Sequence, residues 1–135
     1  MTFSRAPRLG RSGAAAALTG ALTLHNLEEA VAYHALEPRI VDRTGLDVWP
    51  EPLAAGLVLV TAAGAALLAW SATGRETRLK TGSQTFVAWI LLLNVLAPHV
   101  PAAIWLGGYA PGVATAVLVN LPLCAWVILS RRGGR

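Results

Sequence analysis

Five consecutive residues, His25-Asn26-Leu27-Glu28-Glu29, put an imidazole and two carboxylates into an otherwise apolar run. On a helix turning about 100° per residue, with His25 as zero, Glu28 falls near ~300° and Glu29 near ~40°. The three share one face about 100° wide and cover roughly 6 Å of helix rise. His34 falls near ~180°, on the opposite face, and stays outside the site. A carboxylate at mid-membrane costs roughly 2.5–3.5 kcal/mol on insertion scales, so such groups face a bundle interior, a partner or a wet cavity. The bland alternative is a structural knot in which His25 pairs with one Glu. A single Glu would suit that knot; two adjacent ones beside a His suit it poorly.

A His and a Glu at i, i+3 can ligate one metal ion from a single helix. Joined by the distant His99, His25 and Glu28 would make a two-His, one-Glu set with an open fourth position, similar to carboxypeptidase-type zinc enzymes. Glu29 would then be free as general base toward water. The spacing is neither H-E-x-x-H nor H-x-x-E-H, so those two metalloprotease patterns do not apply. Without a metal, two carboxylates in different environments suffice, one kept neutral as proton donor while His25 or the ionised Glu accepts. That chemistry suits isomerisation or cyclisation of a lipid-soluble substrate. A buried anionic pair would also stabilise a cationic intermediate.

The elements that must position these groups are membrane helices. Of 135 residues, 55% are hydrophobic and only 13% charged, about half the charge of a soluble domain. The apolar residues fall in four blocks, approximately 13–33, 53–70, 85–105 and 112–130. Each is long enough for a hydrocarbon core of about 30 Å. The expected fold is therefore all-α, a single domain forming a four-transmembrane-helix bundle. No run of alternating polar and apolar residues supports a β-barrel. The segment from Glu37 to Glu51 is expected to be a loop.

Charge sets the orientation. Arg5, Arg8 and Arg11 precede the first block, Arg75, Arg78 and Lys80 lie between the second and third, and Arg131, Arg132 and Arg135 follow the fourth. Only Arg39 and Arg43 fall on the other side. Both termini are thus expected in the cytoplasm, with the chain in the cytoplasmic (inner) membrane. The net charge of +4 is accounted for by topology, and no nucleic-acid partner is expected. Trp49, Trp70, Trp105 and Tyr109 sit near block ends, as an interfacial aromatic belt does. Residues 5–24 followed by Ala30-Val31-Ala32 also resemble a signal peptide. Cleavage there would discard the most polar chemistry of the chain, so the block is expected to stay. The lone Cys124 is expected to be an inert packing residue.

Depth selects partners for the cluster. With the first helix running outward, Glu28 and Glu29 lie roughly 8–9 Å beyond its middle, and His99 lies roughly 6 Å beyond the middle of the third. Pro98 and Pro101 cannot donate to the carbonyls of Asn94 and Ala97. Free carbonyls at such depth are tolerated where they line a protected cavity. Asn94, Asn120 and Tyr109 are candidates to line a substrate space, with interhelical hydrogen bonding the alternative for the two amides.

His25-x-x-Glu28-Glu29 in the first span of a small four-span protein is similar to the HXXEE family of predicted integral membrane proteins. Asn94…Pro98-His99 and Tyr109-Ala-Pro111-Gly112 also resemble the family pattern, so the resemblance covers nearly the whole chain. It implies a four-helix membrane protein with a site at the motif, and it supplies neither reaction nor substrate. The expected function is an intramembrane enzyme acting on a lipidic or hydrophobic small molecule. Its core would be His25, Glu28, Glu29 and His99. A divalent transition metal such as zinc on His25, Glu28 and His99 stands beside the metal-free alternative. Transport is the rival of another class. Four spans with a Glu in the first resemble small multidrug transporters, but those leave His25 and His99 without a role. A non-enzymatic helper subunit is a third reading.

Overall fold

A computed structural model describes residues 10–45 and 50–132; Arg5, Arg8, Trp49 and Arg135 lie outside them. The elements are α1 (Arg11–Thr44), α2 (Pro50–Ala72), α3 (Arg78–Asn94), α4 (Val100–Leu106), α5 (Val113–Thr115) and α6 (Leu121–Arg132). Wide π-type turns, Val95–His99 and Ala116–Asn120, join α3 to α4 and α5 to α6. No strand occurs among the described residues. Three helical stretches, Glu51–Ala72, Arg78–Leu106 and Val113–Arg131, are long and apolar enough to cross a membrane.

α1 differs from the expected first span. It continues through Glu37 and Pro38 to Thr44, where a loop was expected, and at 34 residues it is about 50 Å long. Pro38 removes one donor without ending the helix; the stop is Gly45, left-handed at φ 66°, whose N–H reaches the Val41 carbonyl. A proline punctuates a sequence more strongly than it punctuates a helix held at both ends. Here Arg11 donates to the Gly74 carbonyl at one end of the bundle. Arg39 donates to the Leu106 carbonyl, 3.0 Å away, at the other.

Burial along α1 follows one stripe, Ala14, Leu18, Ala21, Leu22 and His25, with Asn26 beside it, and stops there. The stripe packs on α2, where Gly64 comes so near Leu22 that a Cβ would strike its side chain. Asn26 ties the same pair of helices by donating to Thr61 Oγ1 (2.7 Å). Leu18, Leu68, Ala88, Leu91 and Cys124 meet in the apolar centre. Trp70 and Trp105 lie exposed near helix ends. Toward the Arg11 end, fully buried Gln84 donates to Ser71 Oγ (2.8 Å) and to the Arg11 carbonyl (3.1 Å). Arg131 donates to its Oε1. That knot links the α1, α2, α3 and α6 ends, far from the His/Glu cluster.

Both wide turns sit beside prolines. Ala97 leaves helical geometry (φ −153°, ψ 118°) at its cis peptide bond to Pro98. The chain bends and swings His99 inward to 3% exposure. Pro122 likewise cannot donate to Leu118, and the helix widens just before it.

Candidate metal centre

His25 is fully buried and His99 nearly so. Their rings meet edge to face, centroids 4.6 Å apart at 86°. The depth matching of helix 1 with the third span thus brings the two histidines together. Each ring is held by its Nδ1. His99 Nδ1 lies 2.8 Å from the Pro111 carbonyl, which can only accept, so Nδ1 carries the proton and Nε2 carries the lone pair. That Nε2 is buried and, among the described residues, has no hydrogen-bond partner. His25 Nδ1 lies 2.9 Å from Thr115 Oγ1, whose hydroxyl points on toward the Gly112 carbonyl at 3.4 Å. With Nδ1–H donating to Thr115, His25 Nε2 accepts from Asn94 Nδ2 (3.0 Å) and stands 4.0 Å from Glu29 Oε2.

His25, Glu29 and His99 each offer one ligand atom, all within 4.8 Å of one another. A tetrahedral ion with bonds of about 2.0–2.1 Å sets its donor atoms about 3.3 Å apart, so closing the set takes a modest inward movement and the release of the Asn94 amide from His25 Nε2. Metal-bound histidines almost always donate their other ring N–H to a carbonyl, carboxylate or similar acceptor, which fixes tautomer and orientation. Pro111 and Thr115 meet that requirement on both rings. The donor set fits a borderline ion such as zinc.

Glu28 is drawn elsewhere. Its carboxylate accepts from the backbone N–H of Ala114 (3.1 Å) and of Thr115 (2.7 Å) and from the Tyr109 hydroxyl. It therefore caps, from another helix, the start of the last span, where free amides and the helix dipole favour an anion. Burial and the Glu28 carboxylate push the Tyr109 hydroxyl up to about 12, so it stays a donor at neutral pH. Of the carboxylates expected to act, Glu29 joins the histidines and Glu28 positions Thr115, which in turn orients His25. His34 is exposed and takes no part. Asn94 and Tyr109 are engaged with His25 and Glu28. Asn120 is fully buried, and among the described residues neither amide atom has a partner.

Two contributors escaped the sequence. Thr115 is one. The other is Gly112, left-handed at φ 78°, whose added Cβ would lie 2.7 Å from His99 Cε1 and 3.0 Å from His25 Cε1. A Pro-Gly turn is a visible signal for the left-handed backbone, but nothing in it announces two imidazoles packed on the glycine.

Comparison with curated proteins and with solved structures finds no match. A family model described as a protein of unknown function with HXXEE motif matches residues 16–127, a stretch that contains His25, both glutamates, His99 and the Pro111–Thr115 turn. The chain belongs to the HXXEE family.

Proposed function

We propose that the protein is a four-span enzyme of the cytoplasmic membrane that holds one divalent transition metal, zinc by preference, on His25, Glu29 and His99. It would act on a lipidic or hydrophobic small molecule by metal-assisted hydrolysis. The orphaned Nε2 of His99 carries this assignment. A buried nitrogen lone pair left unpartnered costs free energy, and a Lewis acid shared with Glu29 and His25 would relieve it. Bound there, the ion would polarise a carbonyl and lower the pKa of a water.

The chain's own groups have separable tasks. Pro111 and Thr115 fix the ring tautomers. Glu28 and Tyr109 hold the turn that carries Thr115. Glu29, whose side chain is 21% exposed, is the member of the set that a substrate or water can approach.

The fourth span would be α1. Its two anchors, Arg11 on Gly74 and Arg39 on Leu106, bracket the bundle from end to end. Its mean hydropathy is lowered by the same His25, Asn26, Glu28 and Glu29 that build the site. Both termini then share the basic side, which favours the cytoplasm. Turnover of fluorogenic long-chain esters by purified protein, with and without added zinc, tests the proposal. Metal-dependent hydrolysis abolished by Glu29→Gln supports it. Proton-coupled uptake by proteoliposomes without hydrolysis would favour the transporter.

A further inference from the structure

At the end of the bundle away from the histidines, α2 and α3 leave an open groove of about 560 Å³ lined by Leu67, Arg78, Leu79, Gly82, Ser83 and Phe86. Its size falls within the roughly 300–1,000 Å³ of small-molecule sites. Its walls are apolar: Leu79 is 69% and Phe86 60% exposed. Gly82 keeps the middle open, since nothing lies within 4 Å of where its Cβ would stand. The Ser83 hydroxyl turns back to the Leu79 carbonyl (2.9 Å) and leaves the wall dry.

The mouth has the opposite character. Arg78 is exposed and, among the described residues, its guanidinium has no hydrogen bond or ion pair. Arg75 and Lys80 flank it in the sequence. Lys80 donates to the Thr73 carbonyl (2.6 Å) and lies 5.2 Å above the Trp70 ring, a tryptophan at the end of a span where the interface belongs. Arg78 therefore stands at headgroup level. Phe86, eight residues further along α3, lies about 12 Å deeper, among acyl chains. A guanidinium without a partner at the surface end of a dry groove that descends into hydrocarbon matches one kind of ligand.

We propose that this groove is a binding site for one anionic glycerophospholipid, with its phosphate on Arg78 and one acyl chain against Leu67, Leu79, Gly82 and Phe86. The site is independent of the His25–Glu29–His99 centre. A free phosphate would use only the mouth, and the apolar length of the groove would contribute nothing to it.

Native mass spectrometry of the full chain in detergent, titrated with phosphatidylglycerol and with phosphatidylcholine of the same acyl chains, tests this directly. One phosphatidylglycerol should be retained about fivefold more tightly than phosphatidylcholine, and Arg78→Gln should remove that preference, the effect of one Arg at an anionic surface. Gly82→Phe should fill the groove and abolish tight binding of both lipids without lowering the melting temperature; Gly82→Leu serves if the larger ring disturbs folding. Arg39→Gln, at the other end, should leave the retention of both lipids unchanged. Equal retention of the two lipids overturns the proposal. So does an unchanged phosphatidylglycerol adduct in both the Arg78 and Gly82 variants, or displacement of the lipid by millimolar inorganic phosphate.

Discussion

Gly112→Ala probes the centre without touching a ligand. The new Cβ would stand 2.7 Å from His99 Cε1, 3.0 Å from His99 Nδ1 and 3.0 Å from His25 Cε1. Carbon atoms pack at about 3.5–4.0 Å, so at least one ring must retreat by about 0.8 Å. Metal bonds tolerate about 0.2 Å. Disturbing the groups that orient ligands costs 10–100-fold in metal affinity, and a loss of that size is expected here. The positive φ adds a backbone penalty of about 1–2 kcal/mol for any L side chain. Gly107→Ala separates the two effects, because Gly107 has φ 66° and nothing within 4 Å of its Cβ site. Zinc competition against a chelating dye, run beside thermal unfolding in detergent, reads both quantities. Gly107→Ala should lower the melting temperature and keep zinc affinity within about twofold; Gly112→Ala should lower both. Equal zinc affinity in the two variants would refute the packing of both imidazoles on Gly112.

Three further outcomes follow from the same geometry. Glu29→Gln should release the metal and leave folding intact, whereas Glu28→Gln should keep the metal and lose about 1–3 kcal/mol of stability through weakened bonds to Tyr109 and the Ala114 and Thr115 amides, as metal analysis and unfolding curves will read. Thr115→Val should weaken zinc binding about tenfold, because the His25 Nδ1–H loses its acceptor, while Thr115→Ser should restore it. Reporter fusions after Gly45 and after Arg135 should report opposite sides of the membrane; the same side for both contradicts a spanning α1.

Much of the architecture was legible because a bilayer writes it in composition. Apolar blocks depend on solvent, and solvent acts on every residue alike. His99 was legible for a related reason: helix rise fixes depth, and depth alone carried His25 and His99 to one level. The choice between Glu28 and Glu29 was not legible from the short motif. Both lie on the inward arc, and the neighbouring chain decides between them by offering the free amides of Ala114 and Thr115 to one carboxylate. A hint was present, since Glu29 is only about 40° from His25 on the helix and Glu28 about 60°. The i, i+3 motif pointed the other way. The last third of α1, beyond Tyr33, was hidden by Pro38, because the bond between Arg39 and the Leu106 carbonyl spans 67 positions and no local signal records it. Gly112 was visible as a turn and invisible as a floor beneath two rings.

The central claim is that two imidazoles and one glutamate share a metal ion. Elemental analysis of protein purified without chelators, paired with X-ray absorption at the metal edge, tests it most directly. One transition metal per chain is expected, with two imidazole nitrogens and one carboxylate oxygen among its ligands at about 2.0–2.2 Å, and none in His99→Ala of unchanged helicity. A chain that holds no metal after zinc loading, or a His99→Ala variant that holds as much as the parent, would contradict the account.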